Sequence, residues 1–350
     1  FHKLTIGEIV KEFERPWSGK NFSERIWKNR AKLKDALEEE IVKMAISGAD
    51  CTQAIESVAK KMDVSKRAAA TLVHTEQAYF SSLGTLKAYS EMGVDEYIYV
   101  ATLDLRTSDI CRDLDHEVFS IKDAQAGVNY PPMHPRCRST TAPYTGALEG
   151  TRTARDMFNN EVKVDKSLNY KEWHKKYVES DPKYLIEEKK WNNRHSDKEQ
   201  HERYKSAGVE VPEKFDKYQE MKYNNSKGYW RTKNQYRSFN AIDKKEWTEE
   251  FKSKCKETIK RFSREYDLDF NEHSVARYHD RISNKDKKTF MSEEDFVTLA
   301  KSKPNYRQLD GNLISYSNKT AIVFDRDNIT HIKTVMVGLS NPRKKWVKND

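Results

Sequence analysis

The sequence predicts a multidomain α+β protein: a mainly helical N-terminal domain with a small β and loop unit over residues 1–150, a charged helical arm or linker over 151–243, and a small α+β domain over 244–350 with two helices and a four-stranded antiparallel meander. Three observations carry this expectation. At 350 residues the chain exceeds what a single hydrophobic core usually serves. Its hydrophobic fraction of 36% barely exceeds its charged fraction of 34%, and the mean hydropathy of −0.96 implies that a sizeable part is solvated helix or linker. Apolar residues recur at helical spacing in the first part of the chain and at strand spacing after residue 304.

The chain opens on Phe1 in the middle of an amphipathic pattern (Leu4, Ile6, Ile9, Val10, Phe13), which implies a segment upstream. Ile26, Leu33, Leu37, Ile41 and Met44 predict a helix over 22–47, broken at Ser47-Gly48-Ala49-Asp50. A short helix over 52–61 follows, and Ser65 is the predicted N-cap of a long helix that reaches Met92 and stops at Gly93. Strands are expected over 97–102 and near Val118, and the three prolines within 127–135 predict an ordered loop. The arm has helical pieces near 170–178, 197–207 and 213–223, separated by Pro182, Gly208 and Pro212. A helix over 244–266 precedes two more near 272–283 and 292–301, then strands over 305–309, 313–317, 320–324 and 329–337. Asp310-Gly311 and the Asp325–Asn328 stretch predict the turns of the meander.

Charge and cysteine content narrow the function classes. Residues 1–150 carry 20 basic and 22 acidic side chains, so the +9 excess lies after residue 150, where it can meet DNA or RNA. Four scattered cysteines (Cys51, Cys111, Cys137, Cys255) make no disulfide framework in a chain of this size, and reduced thiols are expected. No apolar run reaches the roughly 18 residues a membrane helix needs, and no signal peptide is recognisable, so the chain is expected to work in a cytoplasm or a particle.

The segment from Thr102 to Cys111, with Leu114-Asp115, Phe119 and the run Pro131-Pro132-Met133-His134-Pro135-Arg136-Cys137-Arg138-Ser139, resembles the signature of MuF-type phage head morphogenesis (minor head) proteins. Thr75-Glu76 upstream and Tyr144 downstream extend the likeness to roughly 40–145. The resemblance implies a virion protein at the portal or inside the head, packaged or injected with the genome, with portal and capsid proteins as partners and no enzymatic activity in this region. By residue type and spacing, Cys111, His116, His134 and Cys137 could form a tetrahedral zinc site from a Cys-x4-His and a His-x2-Cys half. Against it, the family often has glycine where His116 stands, and sulfur-rich relatives carry cysteines where this chain has Ser108 and Ser139. The alternative is that both cysteines are small buried residues while Asp104, Arg106 and Arg138 shape the loop through salt bridges. Glu76 is expected to pair with Arg106 or Arg138 and so lock helix to loop.

Residues 168–236 resemble the extension that follows the MuF-type domain in many phage minor head proteins. Their interleaved aromatics and lysines could stack on single-stranded nucleic acid, or pack the arm on itself or on capsid partners.

In the C-terminal domain, at about 100° per residue Val275, Tyr278 and Ile282 form a core stripe, while His273, Arg277 and Arg281 line the opposite face and His279 flanks the core edge. Two histidines and two arginines could cleave RNA without metal: one imidazole takes the 2′-hydroxyl proton, another group protonates the 5′-oxygen, and guanidiniums hold the phosphorane charge. His279 is the preferred imidazole, because the core edge can tune its pKa. The last strand should place His331 with Lys333 on one side and Thr334 on the other. This helix–helix–meander order resembles the barnase, EndoU, colicin and RelE group of metal-independent RNases, which implies the candidate catalytic set His273, Arg277, His279, Arg281, Lys333 and Thr334. No metal or other cofactor is expected for that chemistry.

The expected function is therefore a phage minor head protein with a C-terminal ribonuclease toxin, acting in the virion and in the host cytoplasm, for which an immunity protein is a possible partner that the sequence does not reveal. A purely structural head or portal protein with a nucleic-acid-binding or capsid-binding basic half is the alternative. An ADP-ribosyltransferase is disfavoured, since no glutamate follows Glu294 to serve as its catalytic acid.

Overall fold

The computed structural model describes residues 31–48 and 50–349, so the pattern from Leu4 to Phe13 and the helix start around Ile26 lie outside the described residues. The chain forms two compact units, divided between Trp191 and Asn192. About half of the residues are helical and the sheets are small and mostly antiparallel. Among the described residues, no helix is long and apolar enough to cross a membrane.

The first unit begins with three helices, α1 (Ala31–Ser47), α2 (Cys51–Met62) and α3 (Lys66–Glu91). Local chemistry sets their ends. The Asp50 carboxylate accepts from the Thr52 amide, and Ser65 Oγ accepts from the Ala68 amide, satisfying donors that a helix start leaves open. Gly93, at φ +68°, turns the chain out of α3. Leu33, Leu37, Ile41, Val58, Val73 and Phe80 interlock as the helical core.

After α3 the chain enters β1 (Glu96–Val100), the centre of a three-stranded antiparallel sheet with β2 (Val118–Ser120) and β3 (Thr140–Pro143), and the short α4 (Asp109–Leu114) lies between β1 and β2. A hairpin of β4 (Thr151–Arg155) and β5 (Glu161–Asp165) comes next, then α5 (Tyr170–Trp173), which runs into a π turn, and α6 (Pro182–Asn192). The compact unit runs past residue 150, where a domain end was expected, and through the first part of the expected arm. Leu103, Ala154, Val164, Tyr170, Trp173 and Tyr184 share one core, and Tyr170 Oη donates to the Asp104 carbonyl at 2.8 Å.

The second unit starts with helices α7 (Arg194–Ser206), α8 (Phe215–Asn224) and α9 (Ser226–Asp243), followed by α10 (Glu249–Tyr266), β6 (Asp269–Phe270), α11 (Glu272–Arg277), which opens into a π turn over Tyr278–Ile282, and α12 (Glu293–Lys301). Strands β7 (Tyr306–Arg307), β8 (Leu313–Ser317), β9 (Thr320–Asp325) and β10 (Asn328–Met336) run as an antiparallel meander, and the sheet is widened by β11 (Val347–Lys348) beside β7 and by β6, parallel to β10. Its tightest turn is Asn318-Lys319, both at positive φ, between the paired Ser317 and Thr320; Asp310-Gly311 sits in a longer connection. The rest of the expected arm is integral here too. Tyr204, Tyr218, Phe239 and Ile242 join Phe262, Phe270, Val275, Phe296 and Ile332 in one core. Asp197, fully buried on α7, accepts from Lys222 Nζ at 2.6 Å, Gln219 Nε2 at 2.9 Å and Tyr223 Oη at 3.0 Å. With these rings turned inward, the arm offers no run of exposed aromatics for base stacking.

One buried ion pair ties the hairpin to the rest of the first unit. The Arg152 guanidinium, 7% exposed, meets the fully buried Asp115 carboxylate at 2.9 and 3.0 Å and also donates to the carbonyls of Ala101 and Leu168. Removing one partner strands the other charge in the interior, so Asp115→Ala is expected to cost about 3–5 kcal/mol. The double change Asp115→Leu, Arg152→Met should recover much of this in urea unfolding; a single variant within about 1 kcal/mol of the parent would contradict the assignment.

Candidate functional site

Two side-chain clusters carry chemistry. The first lies under the β1–β3 sheet, where α4 brings Cys111 against the 131–138 loop. Cys111 Sγ lies 3.4 Å from His134 Nε2 and 3.8 Å from Cys137 Sγ, and the three ligand atoms all fall within 4.8 Å of one another. Tyr99 Oη donates to Cys111 Sγ at 3.2 Å, and Ser108 Oγ is 2.8 Å from His134 Nε2. The two thiols diverge: Cys111, in contact with Cys137 and close to His134 and Ser108, is held well below the usual thiol range, while Cys137 is pushed up by its contact with Cys111 and by burial. His134 is raised, first by its contact with Cys111.

His116, expected as a fourth member of this set, is elsewhere. Its backbone is left-handed at φ 71°, a conformation glycine adopts without strain, and its Nε2 lies 2.8 Å from Arg152 Nη1. Burial keeps His116 below its ordinary pKa. Arg138, one of the expected partners of Glu76, grips Asp104 with both terminal guanidinium nitrogens, and Arg106, the other, lies over the Trp191 ring at 5.2 Å. Helix and loop are joined by Thr75 Oγ1, which accepts from the Arg136 amide at 3.0 Å, and by Arg136 Nη2, which donates to the Arg67 carbonyl at 3.1 Å.

The second cluster sits where α11 crosses β10. Arg277 Nη1 donates to Thr334 Oγ1 at 2.9 Å, and the same hydroxyl is 3.3 Å from His273 Nε2. The Thr334 hydroxyl has two acceptor lone pairs and one proton, so towards His273 Nε2 it donates or accepts according to the imidazole tautomer. His273 is lowered by desolvation and by the field of Arg277, Arg281 and Lys245; Arg277 is lowered by desolvation and by Arg281 and Arg343. Arg277 forms no ion pair among the described residues, and Arg281 has only Asp280 at 3.7 Å. His273 is exposed and Arg277 and Thr334 half-buried, so a solvent-borne anion can reach the cations.

The other expected members do not join them. His279 is buried, its Nε2 2.9 Å from Thr258 Oγ1 and its Nδ1 3.2 Å from Ser283 Oγ, with Phe251 and Tyr278 against the ring. The π turn explains this, because a wider turn rotates successive side chains less than an α-helix does and carries His279 inward. The register of β10 against β9 shifts between Asn328 and Ile332 and again before Thr334, which breaks the strict alternation expected of the strand. Lys333 reaches Asn312 at 3.3 Å and Asp325 at 3.7 Å, and His331 packs edge-on against Trp230. Arg343 and Lys245, in the field of the site, were missed by sequence reasoning because they lie on separate segments.

With this geometry in hand, comparison with known proteins identifies the first cluster's setting. A family model described as Phage Mu protein F like protein matches residues 34–142, under a third of the chain. This segment is similar to that family, and the match supports a head morphogenesis protein of the MuF type. No curated protein and no solved structure matches significantly.

Burial lowers His279 from its ordinary 6.5 to about 4. The unfolded chain therefore binds this proton more tightly than the folded one: stability is full above about pH 6.5 and falls as the pH drops toward 4. His279 should remove about 2 kcal/mol between pH 7 and pH 5. Urea unfolding of the parent and of His279→Gln at both pH values measures it; equal pH slopes would show that His279 is not buried neutral.

Proposed function

We propose that this protein is a phage head morphogenesis protein of the virion, held to capsid or portal proteins by its MuF-type unit, and that its C-terminal unit is a metal-independent ribonuclease. The observation that carries the second part is the convergence of His273 and Arg277 on the Thr334 hydroxyl inside an exposed group of cations. A lowered pKa keeps His273 able to accept a proton near neutrality. RNA bound there displaces the Thr334 hydroxyl from the imidazole. The 2′-hydroxyl gives its proton to His273 and attacks phosphorus, the P–O5′ bond breaks, and the 5′-oxygen takes a proton from solvent. Arg277 and Arg281 stabilise the added charge on the phosphorane, and Thr334 positions Arg277. His279 and Lys333 have structural roles in this reading. The nucleic-acid partner is host RNA, and an immunity protein would cover the same cationic face.

The purified full chain, incubated with RNA in EDTA, should leave 2′,3′-cyclic phosphate ends. His273→Ala and Arg277→Ala should each lower the rate by about 10²–10⁴-fold, whereas His279→Gln should cleave normally at temperatures where it is folded. The same exposed cations also suit a head protein that only grips packaged DNA. That reading wins if the wild-type chain cuts no RNA, yet binds DNA with an affinity that falls steeply with salt and with Arg277→Glu.

A further inference from the structure

We infer that Cys111, His134 and Cys137 hold a structural zinc ion that clips the 131–138 loop to α4, with a water molecule as fourth ligand. The argument begins with the spacing of the donor atoms. A tetrahedral zinc ion, about 2.3 Å from sulfur and about 2.05 Å from nitrogen, spaces two thiolates by about 3.8 Å and a thiolate and an imidazole by about 3.5 Å. The corresponding separations here are 3.8 Å and 3.4 Å. A disulfide would need the sulfurs near 2.05 Å, and all four cysteines are free.

The surroundings orient the donors as a zinc site requires. His134 Nδ1 lies 2.9 Å from the Pro135 carbonyl, so its proton belongs on that nitrogen and Nε2 is left as the ligand atom. Tyr99 donates to Cys111 Sγ, tempering the charge of a bound thiolate. Ser108 Oγ, within hydrogen-bond distance of the His134 donor atom, is placed to hold the water at the fourth position. His116 is excluded by its contact with Arg152.

Cys111, Cys137, Met133, Tyr99 and Ala101 form a small core cluster of their own. Binding releases to solvent whatever protons the two cysteines and His134 Nε2 carry, so no oxidant or reductant is involved.

The test uses the full chain, produced with zinc in the medium and purified without chelator. Metal analysis should find about one zinc per chain. Replacement by Co²⁺ should give a thiolate-to-cobalt charge-transfer band and the intense visible absorption of a tetrahedral site. Cys137→Ser and His134→Ala, with folding checked by circular dichroism, should each lower zinc content at least about tenfold. Cys51→Ser, Cys255→Ser and His116→Ala should retain it. A wild-type chain with less than about a tenth of a zinc and no change in melting temperature on adding zinc overturns the inference. So does zinc that survives the Cys137→Ser, His134→Ala double change, or a Cys111–Cys137 disulfide in the freshly purified protein.

Discussion

A single buried guanidinium organises the first unit. Arg152 on β4 joins the carboxylate at the end of α4, the carbonyl after β1 and the carbonyl before α5. A cation this deep is tolerable when its donors are answered, and here Asp115, His116, Ala101 and Leu168 answer both terminal nitrogens. The geometry of the neighbouring cluster follows from it. Asp115 held in place fixes the end of α4, which carries Cys111, and His116, drawn to Arg152, is kept away from His134 and Cys137. The left-handed backbone at His116 lets the chain turn from α4 into β2 while the ring faces the guanidinium.

The second unit rests on a different constraint, the packing of α7–α9 against α10, α11 and the sheet. Tyr204 and Tyr218 meet edge to face, and His201 stacks on Tyr218 at 4.7 Å, so these polar-tipped rings serve as core. The geometry of His273, Arg277 and Thr334 is set on that scaffold. Val275 and Tyr278 anchor α11 inward, which leaves His273 and Arg277 facing out. The register shifts in β10 allow Ile332 and Val335, three positions apart, both to be fully buried, and Thr334 between them meets the outward face of α11. The buried, neutral His279 ties α11 to Thr258 of α10 and so holds the exposed face in position.

Much of this architecture was legible in the sequence, wherever a local cause sets the structure. Asp50 and Ser65 at helix starts, Gly93 at a helix end and the strand-forming stretches at 313–317 and 320–324 act through neighbours within a few residues. The segment rich in Cys, His and Pro drew attention to Cys111, His134 and Cys137 for the same reason. The candidate site on α11 was half legible: helical spacing put His273, Arg277 and Arg281 on one face, but assumed a regular α-helix through His279.

By itself, then, the sequence determined the mixed helix-and-strand character of the chain, the ends of its clearest helices, the meander and the MuF-type segment, because hydrophobic periodicity and capping are short-range. Tertiary structure alone decided which ionisable groups meet. Arg152 lies 37 residues from Asp115 and Thr334 lies 57 from Arg277, and no local pattern encodes such pairings. It also moved the division of the chain to between Trp191 and Asn192, since the polar composition of the expected arm conceals tyrosines and a tryptophan whose burial becomes visible only when their partners arrive from elsewhere in the chain.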